Sequence, residues 1–558
     1  MDTNLNTITV TLDDGTQIRC AAGTRVRDIL PQHRSPGGLE YVGALVSNDT
    51  VSLLYPVEVD ATVTPLTRGD PNGFQIYHRS LCFLLAKAVK ELYPDARFAV
   101  QHSLGDGFFC TFESNGKTGI TDEQLQNLDR HMRADIKRDL PIEHRKIAFT
   151  EAVQRFEQEK QFDKYNLLRF RNPPKVATCW CENFSDLAHG PLAASTGALS
   201  LFKLILHPPG FVLQFPEQDN PKHLRPFKPQ PQLFQIFQEH KEWGRILGVS
   251  NVGRLNEIIA NKEIGEFIRI AEAFHEKKIA QIADYIFIHG DQLKWALIAG
   301  PSSSGKTTFA KRLAVQLRVN GLRPVTISLD NYFVNREHTP LDEHGQPDFE
   351  NIETVDLALF NDHLVRLDRG EEVELPAFNF EKGGREFRGD KLHIERDQIV
   401  LIEGIHGLNP RLTQSLPAER KIRIYVSALT QLNLDSNNRI STTDNRLVRR
   451  LVRDNNFRGN NALVTLQMWP GVRRGEKKWI FPFQDQADIA FNSALDYELA
   501  VLKPFVEPLL AEIKPHYPQY AEARRMQAFL ASFLGVSGSL VPPTSILREF
   551  IGRSSFRY

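Results

Sequence analysis

The run Gly300-Pro301-Ser302-Ser303-Ser304-Gly305-Lys306-Thr307 constrains the fold more than any other stretch of this chain. It reads G-x-x-x-x-G-K-T, a loop whose glycines let backbone N–H groups turn inward around a polyphosphate at a helix N-terminus. Its surroundings suit that reading. Trp295-Ala-Leu-Ile-Ala is a short apolar run of the kind that forms a buried parallel strand. Phe309, Leu313 and Leu317 then recur every fourth residue, which predicts a helix that stops near Gly321. In a strand–loop–helix of this kind Gly300, Ser302, Ser303, Ser304 and Gly305 form the cradle, and Thr308 lies on the first helical turn. In such a loop Lys306 is expected to reach the outer phosphates and the Thr307 hydroxyl to ligate Mg²⁺.

Two carboxylates are placed to act on whatever the loop holds. Val325-Thr-Ile-Ser-Leu-Asp330 is an apolar strand ending in an acid 24 residues after Lys306. Gln398-Ile-Val-Leu-Ile-Glu403-Gly404 is a second such strand. Parallel strands deliver their C-terminal ends to one rim, so both acids are expected beside the loop. Asp330 there can accept a hydroxyl proton, and Glu403 can serve Mg²⁺ and its waters. His406, in a glycine-flanked turn, reads as structural. Arg446, Arg449, Arg450 and Arg453 fall on one face of a predicted helix. Four guanidiniums on one face repel each other unless anions lie over them. Arginines that close on a transferring phosphoryl group accelerate the reaction by about 10³–10⁵.

These features, in this order, resemble the uridine-cytidine kinase and phosphoribulokinase family of P-loop kinases. The stretches GPSSSGKTT, SLDNYF, ELPAFNF, IVLIEGI and RRLVRDNNFRG carry the likeness, over roughly residues 293–510. The resemblance implies an α/β domain with a parallel sheet and flanking helices, using ATP and Mg²⁺. It makes Asp330 the catalytic base and gives Lys306, Thr307 and Glu403 to Mg²⁺-ATP. Arg453 and Arg458 would contact the triphosphate from a lid. Arg450 and Glu350 would hold ribose hydroxyls, and Tyr332, Phe378 and Phe380 are expected at the acceptor. The pattern departs at the base pocket. Phe378 stands for a tyrosine, Gly383 for a histidine, and Asn460 for a second lid arginine. Phe380 can still stack on a base. Trp469–Trp479, basic and aromatic, has no clear equivalent and is read as an insert able to supply recognition.

The front half is a different kind of sequence. In residues 1–67, Ile8, Val10 and Leu12 alternate, Asp13-Asp14-Gly15 turns, and Ile18 and Cys20 alternate again. Thr24–Leu30 reads as a capped helix, with Ala44–Val46 and Val51–Leu54 as further strands. ITVTLDDGTQIRCAAGTRVRDIL resembles the TGS domain, a ubiquitin-like α+β fold. Residues 68–220 resemble the α+β second N-terminal domain of threonyl-tRNA and alanyl-tRNA synthetases, on the stretches YHRSLCFLLAKAVKELYPDARFAVQHSLGDGFFCTF and DLAHGPLAASTGAL. In that family two histidine-bearing pairs line an editing pocket. Here the later pair is Ala188 and Leu192, and His78 and His189 are read as surface or hydrogen-bonded residues. A zinc site needs three or four N/S ligands, so hydrolysis is not expected. Residues 221–290 open with prolines and continue as helices packed on the module behind them. Residues 291–520 form the nucleotide domain. The tail, 521–558, carries Leu530, Phe533 and Leu534 on one helical face expected to dock on that domain.

Length, charge and cysteine content bound the rest. A chain of 558 residues exceeds one core and predicts three to four domains. With 68 basic and 68 acidic residues the net charge is zero, unlike a constitutive nucleic-acid binder. The five cysteines are odd in number and scattered, which points to a reducing compartment. Cys179 and Cys181 are expected to be half-buried thiols. No apolar run approaches 18 residues and the N-terminal stretch is neither basic nor apolar, so no membrane contact and a cytoplasmic location are expected. The reading is an ATP-dependent kinase acting on a nucleoside-like primary hydroxyl, expected as a homo-oligomer. Its rivals are another acceptor (a sugar phosphate, a purine or modified nucleoside) and an ATP-switched regulator that contacts RNA through the front modules.

Overall fold

The computed structural model describes residues 7–290, 292–379, 382–395 and 397–558. The apolar run before the glycine loop forms a strand, β1 (Trp295–Ala299), with every side chain buried. Four more strands lie parallel to it: β2 (Arg323–Ser328), β3 (Gln398–Glu403), β4 (Lys421–Ser427) and β5 (Ile489–Asn492), in the order β2-β3-β1-β4-β5. The central strands β1 and β3 are mostly apolar because both faces of the sheet are covered there. Along β1 the period of two is explicit. Ala296 and Ile298 join a core with helix α1 (Lys306–Val319), whereas Trp295 and Leu297 join one with helix α2 (Leu357–Asp368). Helices α3 (Thr442–Phe457), α4 (Ala462–Trp479) and α5 (Glu498–Ala511) complete the domain. The strand order reverses beside β1, so the crevice at the C-terminal ends of β1, β2 and β3 faces the start of α1.

The first module is a five-stranded sheet around Val10, Val26, Val57 and Val63. Its expected capped helix shrinks to Val26–Ile29, because Thr24 hydrogen-bonds to the Ala21 carbonyl and pairs as a strand instead of capping. The strand expected to begin at Val51 ends there. The second module packs the 22-residue helix Pro71–Leu92 against two antiparallel sheets. Cys179 and Cys181 are fully enclosed rather than half-buried, since residues i and i+2 of the strand Lys175–Cys181 share its inner face.

The modules are joined by packing as well as by chain. Helix Val252–Ala260 lies against Phe162–Arg169 of the second module, and its Asn256 side chain donates to the Ser532 carbonyl and accepts from Leu534 N–H. The 25-residue helix Ile264–Ile288 runs along α1, where Arg312 pairs with Glu272 and Glu276. The tail helix Tyr520–Leu530 ends before Phe533 and Leu534, so the three share no helical face; Leu530 and Phe533 are still buried on α5 and its neighbours, and Leu534 is half-buried. Among the described residues no helix is long and apolar enough to cross a membrane.

Candidate active site

The loop is built by close backbone approach. A Cβ on Gly300 would stand 1.9 Å from the Val426 carbonyl oxygen, so the chain can turn there only without one. Gly305 sits at φ +82 and Ser303 at φ +59, both left-handed, which turns successive amides toward one point. The Ser303 and Ser304 hydroxyls are buried without a hydrogen-bond partner among the described residues. Lys306 is half-buried; its ammonium donates to the Pro301 carbonyl at 3.2 Å, and desolvation lowers its pKa from the usual lysine range. Four carboxylates, Glu403, Asp330, Glu549 and Glu350, lie within its electrostatic reach.

The metal-side pair is in place. Thr307 Oγ1 is 3.4 Å from Glu403 Oε2, and Ser328 Oγ donates to Glu403 Oε1 at 2.9 Å. Burial raises the Glu403 pKa to about 7, and the neighbouring Asp330 charge acts in the same sense. A divalent cation at Thr307 and Glu403 would remove that penalty. The unpartnered serine hydroxyls, the cradle at Gly300 and this oxygen pair together fit Mg²⁺ and a nucleoside triphosphate.

The arginine helix departs from expectation in an informative way. Its anions are largely the protein's own. Arg446 pairs with buried Glu476 of α4 and donates to the Ser302 carbonyl at 2.9 Å. Arg449 pairs with buried Glu498 of α5 and donates to the Ser493 carbonyl at 2.8 Å. Arg450 donates to Ser302 Oγ at 2.8 Å and to Asp454 at 3.1 Å, holding the loop's mouth near Glu350. Arg453 is the exception: its Nε is 3.5 Å from Asp454, but Nη2 is buried without a hydrogen-bond partner among the described residues. Burial lowers the Arg453 pKa to about 10. Arg458, 42% exposed at its side chain, lies 3.9 Å from Asp454. Arg453 and Arg458 can therefore meet an added anion, whereas Arg446 and Arg449 brace the loop.

On the acceptor side, Glu350 is buried with one oxygen unpartnered among the described residues, and burial beside Glu476 raises its pKa to about 7. Phe378 donates its N–H to Asn331 at 3.3 Å and sets its ring edge-on to Phe333, next to the Asp330 turn. Tyr332 is not there. It is 1% exposed in the core beside α2, with its hydroxyl 3.0 Å from His363 Nδ1, because the turn after Asp330 points it inward. Phe380 lies outside the described residues. Buried His406 has its pKa lowered to about 4 and stays neutral.

Trp469–Trp479, read as an insert able to supply recognition, forms the second half of α4, which crosses the acceptor side. Glu476 from it accepts the Ser302 N–H at 3.1 Å. Trp479 donates to Asp348, and Lys477 pairs away from the site with Glu217 and Asp219 at the end of the second module. Sequence reasoning passed over Glu476, whose one signal was a lone acid in a basic run. It also passed over Glu549, which accepts from Thr308 Oγ1 at 2.7 Å.

The synthetase-like pocket is closed. His78 is caged by Phe74, Phe108 and Phe215 rather than lying at the surface, and burial lowers its pKa to about 3. His189 is hydrogen-bonded to Asp435 at 2.6 Å. Asn437 donates to Asp186 at 2.7 Å, so a hairpin of the nucleotide domain plugs the opening. The remaining cavity is about 20 Å³, the room of one water.

Residues 297–500 match the phosphoribulokinase / uridine kinase family. The N-terminal region is similar to threonine–tRNA ligases. That of Desulforamulus reducens is 31% identical over 199 residues, covering 36% of this chain and 31% of the ligase. That of Acetivibrio thermocellus is 28% identical over 199 residues, with the same coverage. The chain thus spans about a third of the length of the curated relatives it matches. Among solved structures, a possible uridine kinase from Bacillus stearothermophilus is 18% identical, covering 36% of this chain and 89% of that one, with a TM-score of 0.24.

Proposed function

We propose that this chain is an ATP-dependent kinase that phosphorylates a primary hydroxyl of a small molecule, with the 5′-hydroxyl of a nucleoside as the preferred acceptor. One observation carries the reading: Lys306, Asp330, Glu350 and Glu403 converge on the left-handed glycine loop at the start of α1. Mg²⁺-ATP, when bound, supplies the phosphoryl group and neutralises its oxygens. Asp330 accepts the proton of the acceptor hydroxyl as that oxygen becomes the nucleophile. Lys306 holds negative charge at the loop, and Thr307 with Glu403 holds the metal. Arg453 and Arg458 close from the end of α3 and help exclude water. Glu350 and Arg450, an acceptor and a donor in electrostatic contact, suit a pair of vicinal hydroxyls. The Phe378 ring offers a face for a base.

The test is ADP release from Mg²⁺-ATP against a panel of nucleosides and sugar phosphates, with Asp330→Asn as control. One acceptor should stimulate release strongly. The variant should lose about 10²–10⁴ in turnover and keep its ATP affinity. Unchanged turnover would refute the base assignment. A panel without any stimulating member would refute the kinase reading.

A further inference from the structure

The segment 541–558 does not merely pack on the nucleotide domain; it lies on the phosphate loop. Ile546 Cγ2 comes within 2.5 Å of where a Cβ on Gly305 would stand. The Phe550 ring covers Arg449, with the guanidinium carbon 5.2 Å from its centroid, and Asn456 of α3 donates to the Phe550 carbonyl at 3.1 Å. This brings Glu549 over the first turn of α1. Its Oε2 accepts from Thr308 Oγ1 at 2.7 Å and lies 3.4 Å from Thr308 N. Tyr558 reinforces the contact, with its hydroxyl 2.8 Å from Thr308 Oγ1, and Lys311 donates to the Arg557 carbonyl.

The chemistry of this contact is that of an anion on a helix N-terminus. A free first-turn amide and the positive end of the helix favour one negative group there. In a phosphate loop the same amides receive the polyphosphate. Glu549 therefore fills with a carboxylate the place where a phosphate oxygen would be received. Lys306 and Arg453, the two cations expected to meet the triphosphate, both lie within its electrostatic reach. Two like charges cannot share those donors, so the segment and the triphosphate compete.

We propose that Glu549 is an internal competitor for the phosphate site, and that the segment 541–558 is an autoinhibitory strap that must lift from Thr308 before the nucleotide seats. The inference rests on the kinase reading above. Apparent affinity is the intrinsic affinity scaled by the fraction of molecules with the strap lifted. If the docked form is favoured about tenfold, neutralising Glu549 should tighten nucleotide binding by roughly tenfold.

The experiment uses the full chain and titrates Mg²⁺-ATP calorimetrically into wild type, Glu549→Gln, Glu549→Ala and Tyr558→Phe. Glutamine keeps the shape and one acceptor oxygen, so the strap's apolar anchors at Ile546, Leu547 and Phe550 are undisturbed. Both Glu549 variants should bind about tenfold tighter, with Tyr558→Phe shifted the same way and less. Saturating ATP should also speed tryptic cleavage after exposed Arg553 and Arg557 in the wild type. Equal affinity in all four proteins would overturn the strap while leaving the kinase reading intact. Weaker binding in the Glu549 variants would make Glu549 a nucleotide-holding residue and also overturn it. Absence of ATP binding in every protein would overturn the kinase reading itself, and the strap with it.

Discussion

Glu350→Gln separates the stability of this site from its function. Glu350 is 8% exposed and one of its oxygens has no hydrogen-bond partner among the described residues. Helix α4 presses on it so closely that a Cβ on Gly475 would stand 2.4 Å from Glu350 Cβ. Burial, then the Glu476 charge, raises its pKa from 4.5 to about 7, with Arg450 and Lys306 pulling the other way. Between those two values the folded chain keeps a proton that the unfolded chain has released. Stability therefore falls as pH rises through that window. At about 1.4 kcal/mol for each tenfold, the charged form costs up to about 3 kcal/mol above pH 7. Glutamine has the shape of the protonated acid and avoids that cost. The variant should match wild type near pH 4.5 and exceed it by up to about 3 kcal/mol at pH 8. For a domain of this size that is roughly 6–12 °C in the kinase-domain transition. Thermal scans from pH 4.5 to 8 read the difference. A constant gap across the series, or a less stable variant at pH 8, would refute the electrostatic account. In the acceptor assay the same variant should lose affinity, since a group held against its stability preference is the usual sign of use.

Two further substitutions test the roles given to the loop and its arginines. Gly300→Ala drives a methyl into the Val426 carbonyl and should abolish ATP binding and lower the melting temperature; full nucleotide affinity would disprove the close approach. Arg449→Ala leaves buried Glu498 unpaired and should destabilise the domain by about 3–5 kcal/mol, whereas Arg458→Ala should leave stability within about 0.5 kcal/mol and slow turnover. Equal effects of the two on stability, read by denaturation, would remove the division between bracing and reaching arginines.

The sequence by itself determined the elements that depend on neighbours along the chain. The apolar run Trp295–Ala299, the glycines at 300 and 305 and the four-residue period of α1 dictate a strand, a left-handed turn and a helix wherever they occur. Because parallel strands share a rim, the two strand sequences also place Asp330 and Glu403 beside Lys306. Side-chain direction after the strand ends was not so determined: Tyr332, two residues past Asp330, faces inward, since a turn does not keep the strand's alternation.

What only the tertiary structure decided is which charges meet. Arg446 and Arg449 look like ligand-binding cations in sequence and are neutralised by Glu476 and Glu498, 30 and 49 residues away. Glu549 reaches Thr308 across 241 residues, and the hairpin at Asn437 closes a pocket whose Asp186 lies 251 residues before it. Backbone propensity is local and readable, but the pairing of charges depends on which surfaces fold against each other, and no spacing along the chain encodes that.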